Sequence, residues 1–363
     1  MHPTSLSEIR ANALSSTEHD TLTSVLTQGS TGRGPFSRLG WIDEAIEWIQ
    51  TETRSRGPQT RWRLDQFNAS ATGSLIRFQN ERGEAYWLKS GGSLNRSEMG
   101  ITSTMASLFP DYLPEIISVH SGWSAWLMRD EGVSLANAST DRRVLEDVVR
   151  RIAELQRESC QHTGRLLEDG CHDHRISRLL ERLAGLIPYL EDAVQAQEVS
   201  TGPRLQPARI RRIRDLFEKA ASRMLRLNIP DALMHCDFSV ENILISQRGC
   251  LFTDWAQASI GVPFVTFEQL RLQLLQTGGA CGHVHRLSEL YRSQWAELIP
   301  AADIETAFTL VPLIAVTCDL CCRPEWLTMT GPDRPLSQSY ARTLARRLDR
   351  AAKLIEQNSL MCA

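Results

Sequence analysis

The chain has 363 residues, of which 42% are hydrophobic and 23% are charged, and its formal net charge at pH 7 is −3. Because a single hydrophobic core stops growing below this length, we expect two cores or two lobes. The hydrophobic fraction excludes a chain that is disordered throughout, and the slightly acidic balance argues against a protein that binds nucleic acid or membrane surfaces through its overall charge.

The cysteines and the apolar segments indicate the cellular compartment in which we expect the protein. The nine cysteines have no spacing typical of a disulfide framework, so we expect reduced thiols. Residues 1–10 lack the basic and apolar regions of a secretory signal, and the most apolar run, Phe308 to Cys322, is too short for a membrane span and contains Asp319. We therefore expect a cytoplasmic protein with no membrane partner and no nucleic-acid partner, and the sequence leaves its oligomeric state open.

The predicted elements change in type along the chain. Residues 1–40 are rich in serine, threonine and glycine without a hydrophobic period, which predicts a flexible N-terminal extension. An amphipathic helix is predicted from Trp41, and residues 61–90 contain three short β-type runs that predict an antiparallel sheet. The next predicted elements are a helix and two strands, at 97–109, 113–120 and 125–128.

Beyond residue 132 nearly every segment has a helical period. The exception is 233–254, where two short apolar runs bracket polar loops. The predicted fold class is therefore α+β, with a small antiparallel-sheet N-lobe at 41–131 and a mostly helical C-lobe at 132–363. The predicted helices span 142–158, 175–197, 207–227 and 267–276, with others to about residue 357.

Four polar residues in and beside this exceptional segment carry the strongest functional signal. His235, Asp237 and Asn242 lie on a loop between two β-type runs, and Asp254 follows the next run. Phosphoryl transfer from ATP requires oxygen ligands for Mg²⁺ and a carboxylate that orients the attacking hydroxyl, and these side chains could supply both. The alternative is that Asp237 and Asn242 only make the turn and cap hydrogen bonds that are common in loops.

The sequence resembles the aminoglycoside phosphotransferase and choline kinase superfamily, which is related to protein kinases. The resemblance lies in two motifs, His235-x-Asp237-x4-Asn242 and, further along the chain, hydrophobic-x-Asp254-Trp255. The resemblance is closest to a loosely defined group of bacterial aminoglycoside-phosphotransferase-like proteins. It implies a two-lobed protein-kinase-like fold with ATP and Mg²⁺ as cofactors. It also implies that Asp237 is the catalytic base, that His235 braces the catalytic loop, and that Asn242 and Asp254 bind the metal.

The same resemblance assigns an ATP clamp to the N-lobe. Lys89 would contact the α- and β-phosphates and Glu98 would pair with it, although an acidic residue in a first helical turn also complements the helix dipole without such a partner. The loop before the second strand consists of small residues whose backbone amides could approach the phosphates, and the strand end before residue 132 matches the hinge that holds adenine. The loop residues are Ser70, Thr72, Gly73 and Ser74, and the hinge residues are Met128 and Asp130.

Three features depart from the family pattern. Cys236 stands where glycine is commonest, Val240 and Glu241 replace small or proline-rich residues, and Thr266 stands where many relatives have aspartate. Thr266 and Gln269 form the pattern of a capping box, so we expect Thr266 to begin the next helix. These departures bear on rate and substrate more than on the type of reaction.

Cysteines recur in two other segments, and the first of them raises the question of a second metal site. Residues 160–174 contain five cysteine and histidine side chains that could bind zinc, but they lack a Cys-x2-4-Cys pair, so a polar loop is the favoured interpretation. Cys318, Cys321 and Cys322 fall on an apolar helical segment and predict core packing.

The expected function is ATP-dependent O-phosphotransfer to a small molecule that carries a hydroxyl, such as an aminoglycoside-like antibiotic, an amino alcohol or a sugar-type metabolite. Two alternatives stay open, a nucleotide-binding regulatory pseudokinase and a kinase that acts on a protein substrate. An aminoglycoside would need carboxylates for its ammonium groups. The candidates for such a pocket are Glu268, Glu289, Asp319 and Glu325.

Overall fold

The computed structural model describes residues 36, 40–53, 61–69, 73–91, 96–138, 141–196, 204–277, 281–322 and 334–361. The chain divides into two compact units, which we call the N-terminal unit (residues 1–132 and 246–256) and the C-terminal unit (residues 133–245 and 257–363). Nearly all of the predicted N-terminal extension lies outside the described residues, as do Ser70, Thr72 and Glu325.

The N-terminal unit is built on a sheet. Its strands are β1 (Trp62–Ala69), β2 (Ser74–Asn80), β3 (Ala85–Ser90), β4 (Ile116–His120) and β5 (Ala125–Arg129). They form an antiparallel sheet in the order β1-β2-β3-β5-β4. Its helices are α1 (Trp41–Glu52) and α2 (Arg96–Leu108).

Buried and half-buried side chains alternate along β2 and β3, so one face of the sheet belongs to a hydrophobic core and the other face carries Lys89. Ile76 and Phe78 of β2 are buried on one face, where they cluster with Trp41 and Ile49 of α1. Lys89 of β3 alternates with buried neighbours, so its side chain lies on the opposite face. The hydrophobic pattern that predicted the strands therefore also decides on which side of the sheet the lysine stands.

The C-terminal unit is mostly helical. Its helices are α3 (Arg142–Ser159), α4 (Thr163–Glu168), α5 (Ile176–Gln195), α6 (Pro207–Arg226), α7 (Phe264–Gln276), α8 (Cys281–Ser293), α9 (Ala301–Cys321) and α10 (Arg334–Met361). Its strands are β6 (Val133–Ser134), β7 (His172–His174), β8 (Ala232–His235), β9 (Ile243–Ser246) and β11 (Ala258–Gly261). The strand between the last two, β10 (Gly249–Phe252), belongs to the N-terminal unit. α4 and β7 occupy the segment for which the sequence predicted a polar loop.

A small sheet in the C-terminal unit places β7 beside the strand that leads to Asp237. β11 pairs in parallel with β7 and antiparallel with β8. A Cβ atom on Gly261 of β11 would lie only 2.6 Å from the carbonyl oxygen of His174, so the close approach of these strands requires glycine at that position. This packing fixes His174 and the end of β8 in one core.

Helix α9 is longer than the apolar run from which the sequence excluded a membrane span. It has 21 residues, and its most apolar window has a mean hydropathy of 1.6, so by length and composition alone it could cross a membrane. Yet 67% of that window is buried inside the fold, as expected for the core helix of a folded domain. The cytoplasmic location stays a prediction.

Candidate active site

Lys89 is the centre of a charged cluster in the N-terminal unit. Its Nζ lies 2.6 Å from Glu98 Oε1 and 2.7 Å from Asp254 Oδ1. Strand β3 supplies the lysine, the first turn of α2 supplies Glu98, and Asp254 follows β10 by two residues. Two carboxylates from different elements, one of them distant in the sequence, therefore meet at one ammonium group.

Burial sets the electrostatics of this cluster. The exposed fractions of the side chains are 2% for Glu98, 16% for Lys89 and 41% for Asp254. Burial alone would lower the pKa of Lys89, but the carboxylates of Glu98 and Asp254 outweigh it and raise that pKa. Burial also raises the pKa of Glu98, although Lys89 opposes the shift. The lysine is therefore charged at neutral pH, and the Glu98 carboxylate depends on it.

The backbone of Asp254 is unusual. Its φ of 64° lies in the left-handed region, which non-glycine residues rarely adopt and which costs about 1–3 kcal/mol. Buried Phe252 and Trp255 flank it, and Trp255 Nε1 donates a hydrogen bond of 3.1 Å to the carbonyl oxygen of Phe252. The surrounding packing holds the strained residue, as is common where the direction of a side chain matters for function.

The predicted hinge residues have structural contacts of their own. The Asp130 carboxylate accepts hydrogen bonds from Arg77 Nε at 2.7 Å and Trp87 Nε1 at 3.0 Å, so this side chain supports the sheet. Met128 pairs with Trp87 across β3 and β5 and is half-buried. Any contact of Asp130 with adenine would therefore come from its backbone, and the hinge role of Met128 and Asp130 stays a prediction.

The predicted phosphate loop is described only at its end. Gly73 directly precedes β2, and Ser74 is its first residue. The Ser74 side chain is buried on the face of Ile76, opposite Lys89, and its hydroxyl has no hydrogen-bond partner among the described residues. A phosphate contact from Ser74 would thus have to come from its backbone.

In the C-terminal unit, residues 236–242 form a loop that we call the Asp237 loop. The amide of Asp237 donates to Nδ1 of His235 at 3.3 Å, and the amide of His235 donates to Thr266 Oγ1 at 3.0 Å. Asn242 Nδ2 donates to the carbonyl oxygen of Asp237 at 2.9 Å and approaches its carboxylate at 3.4 Å. His235, Asp237 and Asn242 therefore form one hydrogen-bonded unit.

Two glutamines of α7 hold the backbone of this loop. Gln269 Oε1 accepts from the amide of Phe238 at 3.1 Å, and Gln269 Nε2 donates to the carbonyl oxygen of Cys236 at 2.8 Å. Gln273 Oε1 accepts from the amide of Val240 at 2.9 Å. The sequence did not predict this role for either glutamine, although their spacing of four residues places them on one face of a helix and could have indicated a shared partner.

The predicted capping box is wrong. α7 begins at Phe264, with Pro263 at the N-cap position, so Thr266 lies inside the first turn instead of before it. The two residues that suggested a cap bind other backbone groups: Thr266 holds the end of β8, and Gln269 holds the Asp237 loop. The first turn has partners without a side-chain cap, because the amides of Val265 and Thr266 donate to the carbonyl oxygens of Val262 and Pro263 at 3.2 Å each.

An open cavity of about 650 Å³ lies beside Asp237 in the C-terminal unit. Glu268 and Asp319, two carboxylates that the sequence left unplaced, line it. Both are paired: Arg271 binds Glu268 through two hydrogen bonds of 2.6 and 2.8 Å, and Arg347 lies 2.6 Å from Asp319. Burial raises the pKa of Asp319 to about 6, although Arg347 opposes the shift.

The cavity also contains an exposed cation. Arg350 lines it and has no ion-pair partner within the described part of the chain. Leaving Asp237 aside, the cavity carries two carboxylates and three guanidinium groups, so its formal charge is about +1 from the described side chains. A site of this kind offers no excess of carboxylates to a polycation.

Residues 97–265 match the family model described as "Phosphotransferase enzyme family". The predicted resemblance to the aminoglycoside phosphotransferase and choline kinase superfamily is confirmed. A search of curated proteins gives no significant match. The matched segment includes Glu98, Asp237, Asn242 and Asp254, whereas Lys89 precedes it.

Solved structures show the same fold. A choline kinase from Cryptosporidium parvum is 12% identical, with 87% of this chain and 97% of that chain covered and a TM-score of 0.57. An ethanolamine kinase from Plasmodium vivax is 10% identical, with 84% and 88% covered and a TM-score of 0.53. The GDP complex of aminoglycoside 2'-phosphotransferase-IIIa is 13% identical, with 85% and 98% covered and a TM-score of 0.53. The α+β, protein-kinase-like fold class is therefore confirmed.

Proposed function

We propose that this protein is an ATP- and Mg²⁺-dependent phosphotransferase that moves the γ-phosphate to a hydroxyl of a small molecule. The observation that carries the proposal is the contact of Lys89 with both Glu98 and Asp254. The match to a phosphotransferase family and the kinase-like fold support it. Fold alone would not suffice, because one fold hosts many activities.

The side chains in the N-terminal unit fit a nucleotide and a hard cation. Lys89 keeps its proton because two carboxylates raise its pKa, and a fixed positive charge suits phosphate oxygens. Asp254 offers a carboxylate that is 41% exposed, which is the type of ligand that Mg²⁺ prefers. Asn242 of the C-terminal unit is the second proposed ligand, and its amide is oriented by the bond to Asp237. When bound, Mg²⁺ would neutralise charge on the phosphates.

Asp237 has the proposed role of catalytic base. Its carboxylate would accept a hydrogen bond from the acceptor hydroxyl and orient its oxygen for attack. It would take the hydroxyl proton as the new P–O bond forms and the bond from the γ-phosphorus to the bridging oxygen breaks, with ADP as the leaving group. A base must be held in place to do this, and the backbone around Asp237 is held by its hydrogen bonds with the side chains of His235, Asn242 and Gln269. His235 is thus a positioning residue.

The cavity beside Asp237 is the proposed acceptor site, and its charge narrows the acceptor. Glu268 and Asp319 already have arginine partners, so a polycationic aminoglycoside would have to compete with Arg271 and Arg347 for them. Arg350 adds a positive charge. We therefore favour a neutral or anionic hydroxyl compound, such as a polyol, nucleoside or sugar acid, as the acceptor.

A coupled assay of ADP release tests the proposal. Polyols, nucleosides, sugar acids, amino alcohols and aminoglycosides would be supplied with ATP and Mg²⁺. We expect turnover with at least one neutral or anionic acceptor, and a decrease of at least ~10²-fold in Asp237→Asn and in Asp254→Asn. Glu305→Gln, a change in a carboxylate that is 61% exposed, serves as the control and should keep wild-type turnover.

Each alternative function predicts a different experimental result. Magnesium-dependent ATP binding without product across the whole panel would favour a regulatory pseudokinase. Phosphate transfer only to added proteins, found by phosphopeptide mapping, would favour a protein kinase. Wild-type turnover in both aspartate variants would refute the assigned roles.

A further inference from the structure

Three soft metal-binding side chains meet in the core of the C-terminal unit, outside the proposed active site. His174 ends β7, Cys236 follows β8, and Cys322 follows α9. The sulfur of Cys236 lies 4.0 Å from His174 Nδ1, and the sulfur of Cys322 lies 4.0 Å from His174 Nε2. One ring nitrogen and the two sulfurs all lie within 4.8 Å of one another.

The surroundings of His174 lack an ordinary hydrogen-bond partner for its ring. The side chain is fully buried, and Cys236 is 4% exposed. Among the described residues, the ring nitrogens contact only these two sulfurs, each at the outer limit of a hydrogen bond to sulfur. A buried imidazole normally has a strong partner, because an unpaired polar group costs about 1–3 kcal/mol. A ligand shared with the thiols would supply that partner.

We propose that His174, Cys236 and Cys322 bind a thiophilic metal ion such as Zn²⁺. A triangle with sides of 4.0–4.8 Å has its centre about 2.3–2.8 Å from each corner. Zinc binds sulfur at about 2.3 Å and histidine nitrogen at about 2.0–2.1 Å. A contraction of about half an ångström would thus form three bonds, and a water molecule would complete a tetrahedral site.

Binding would change the protonation of the ligands. A metal ion binds cysteine as thiolate, so each thiol that is protonated beforehand loses its proton to solvent as the metal–sulfur bond forms. One ring nitrogen of His174 would bind the ion, and the other would carry the imidazole hydrogen. The site would be closed to most reagents, since two of its three side chains are buried.

The position of Cys236 links this site to the Asp237 loop. Cys236 directly precedes Asp237, and its carbonyl oxygen accepts the hydrogen bond from Gln269 Nε2. An ion that ties the Cys236 sulfur to His174 and Cys322 would therefore join the first residue of the loop to β7 and α9. We expect the bound ion to raise the midpoint of thermal unfolding of the full chain.

Cobalt titration of the full-length, reduced and metal-free protein tests the proposal. Co²⁺ should bind with one ion per chain and produce thiolate-to-cobalt charge-transfer absorption, and Zn²⁺ should displace it. Cys322→Ser and Cys236→Ser should each weaken binding by at least ~10-fold, since even the loss of an outer-shell partner has an effect of that size. Cys321→Ser is the matched control, because Cys321 is the last residue of α9, directly before Cys322, and is buried but outside the cluster.

The test does not depend on catalysis, so it stands apart from the phosphotransferase proposal. Absence of the cobalt band in the wild-type protein, or an equally strong band in Cys322→Ser, would refute the site. If Cys236→Ser fails to fold, Cys322→Ser decides, because Cys322 lies at the end of α9 and is only partly buried. A third result would also overturn the proposal: a disulfide between Cys236 and Cys322 in the purified protein, with no metal binding after it is reduced. That result would identify the two cysteines as a redox pair.

Discussion

Replacing Lys89 by methionine should expose how much the buried Glu98 carboxylate depends on its partner. Methionine keeps most of the side-chain volume but removes the ammonium that lies 2.6 Å from Glu98 Oε1. At that distance and an effective dielectric constant of about 20, the Coulomb attraction is about 6 kcal/mol. Desolvation of both ions offsets part of it, and removing one member of a buried pair typically costs about 3–5 kcal/mol of unfolding free energy.

A double-mutant cycle separates the pair from its surroundings. Glu98→Gln in the Lys89→Met background removes the unpaired charge, so the double variant should be more stable than Lys89→Met alone. We expect a coupling free energy of about 1.5–3 kcal/mol. Asp254 should contribute little to this coupling, because its carboxylate is 41% exposed and remains hydrated.

The stability lost in Lys89→Met should depend on pH in a defined direction. Burial raises the pKa of Glu98, and without Lys89 that pKa should rise further. A group whose pKa is higher in the folded state contributes stability below its unfolded pKa and loses it as pH rises through the folded value. The deficit of Lys89→Met relative to wild type should therefore shrink from pH 7 to pH 5, and the double variant should show no such trend.

Urea unfolding followed by tryptophan fluorescence measures these changes, since Trp126 lies beside Lys89. Arg63→Met is the control, because Arg63 pairs with Asp65 on the surface with 71% of its side chain exposed, and its loss should change stability by less than ~0.5 kcal/mol. Additive single effects in the double variant, or a deficit of Lys89→Met that is the same at pH 5 and pH 7, would refute the reasoning.

Two further predictions concern the C-terminal unit. Gln269→Leu removes the hydrogen-bond partners of the Phe238 amide and the Cys236 carbonyl oxygen. We therefore expect kcat in the ADP-release assay to fall at least ~10-fold with little change in KM for ATP. An unchanged kcat would contradict the positioning role of Gln269. Asp319 has a folded pKa of about 6, above its unfolded value, so its own contribution to stability should fall as pH rises from about 4 to 6. In urea unfolding, the stability of the wild type relative to Asp319→Asn should therefore decrease between pH 4 and pH 6, and a difference that does not change with pH would contradict the assignment.

The sequence predicted the sheet because its signal is local. β2 and β3 alternate between buried and half-buried positions within six or seven residues, which is visible in a single window. The strand that ends near Lys89 and the helix that begins near Glu98 followed from the same periodicity, and the family resemblance paired the two residues. Their contact at 2.6 Å is a consequence of elements that were each predictable alone.

The contacts that the sequence missed join segments without a local signal. Gln269 meets the Asp237 loop across 31–33 residues, and His174 meets Cys322 across 148 residues. Neither pair follows a helical or strand period, so no window of the sequence contains both partners. The left-handed backbone of Asp254 was missed for another reason: aspartate adopts this conformation only where the surrounding structure imposes it.

The support of the Asp237 loop also explains why its own sequence can depart from the family pattern. The amide of Val240 is bound by Gln273 Oε1, and the carboxylate of Glu241 accepts from Gln273 Nε2 at 3.2 Å. Cys236 is fixed at its carbonyl oxygen by Gln269. Because side chains of α7 hold the loop backbone, the identities of residues 240 and 241 matter less for the position of Asp237 than the two glutamines do. The departures from the family pattern at residues 240 and 241 thus fall where α7 supplies the geometry of the loop.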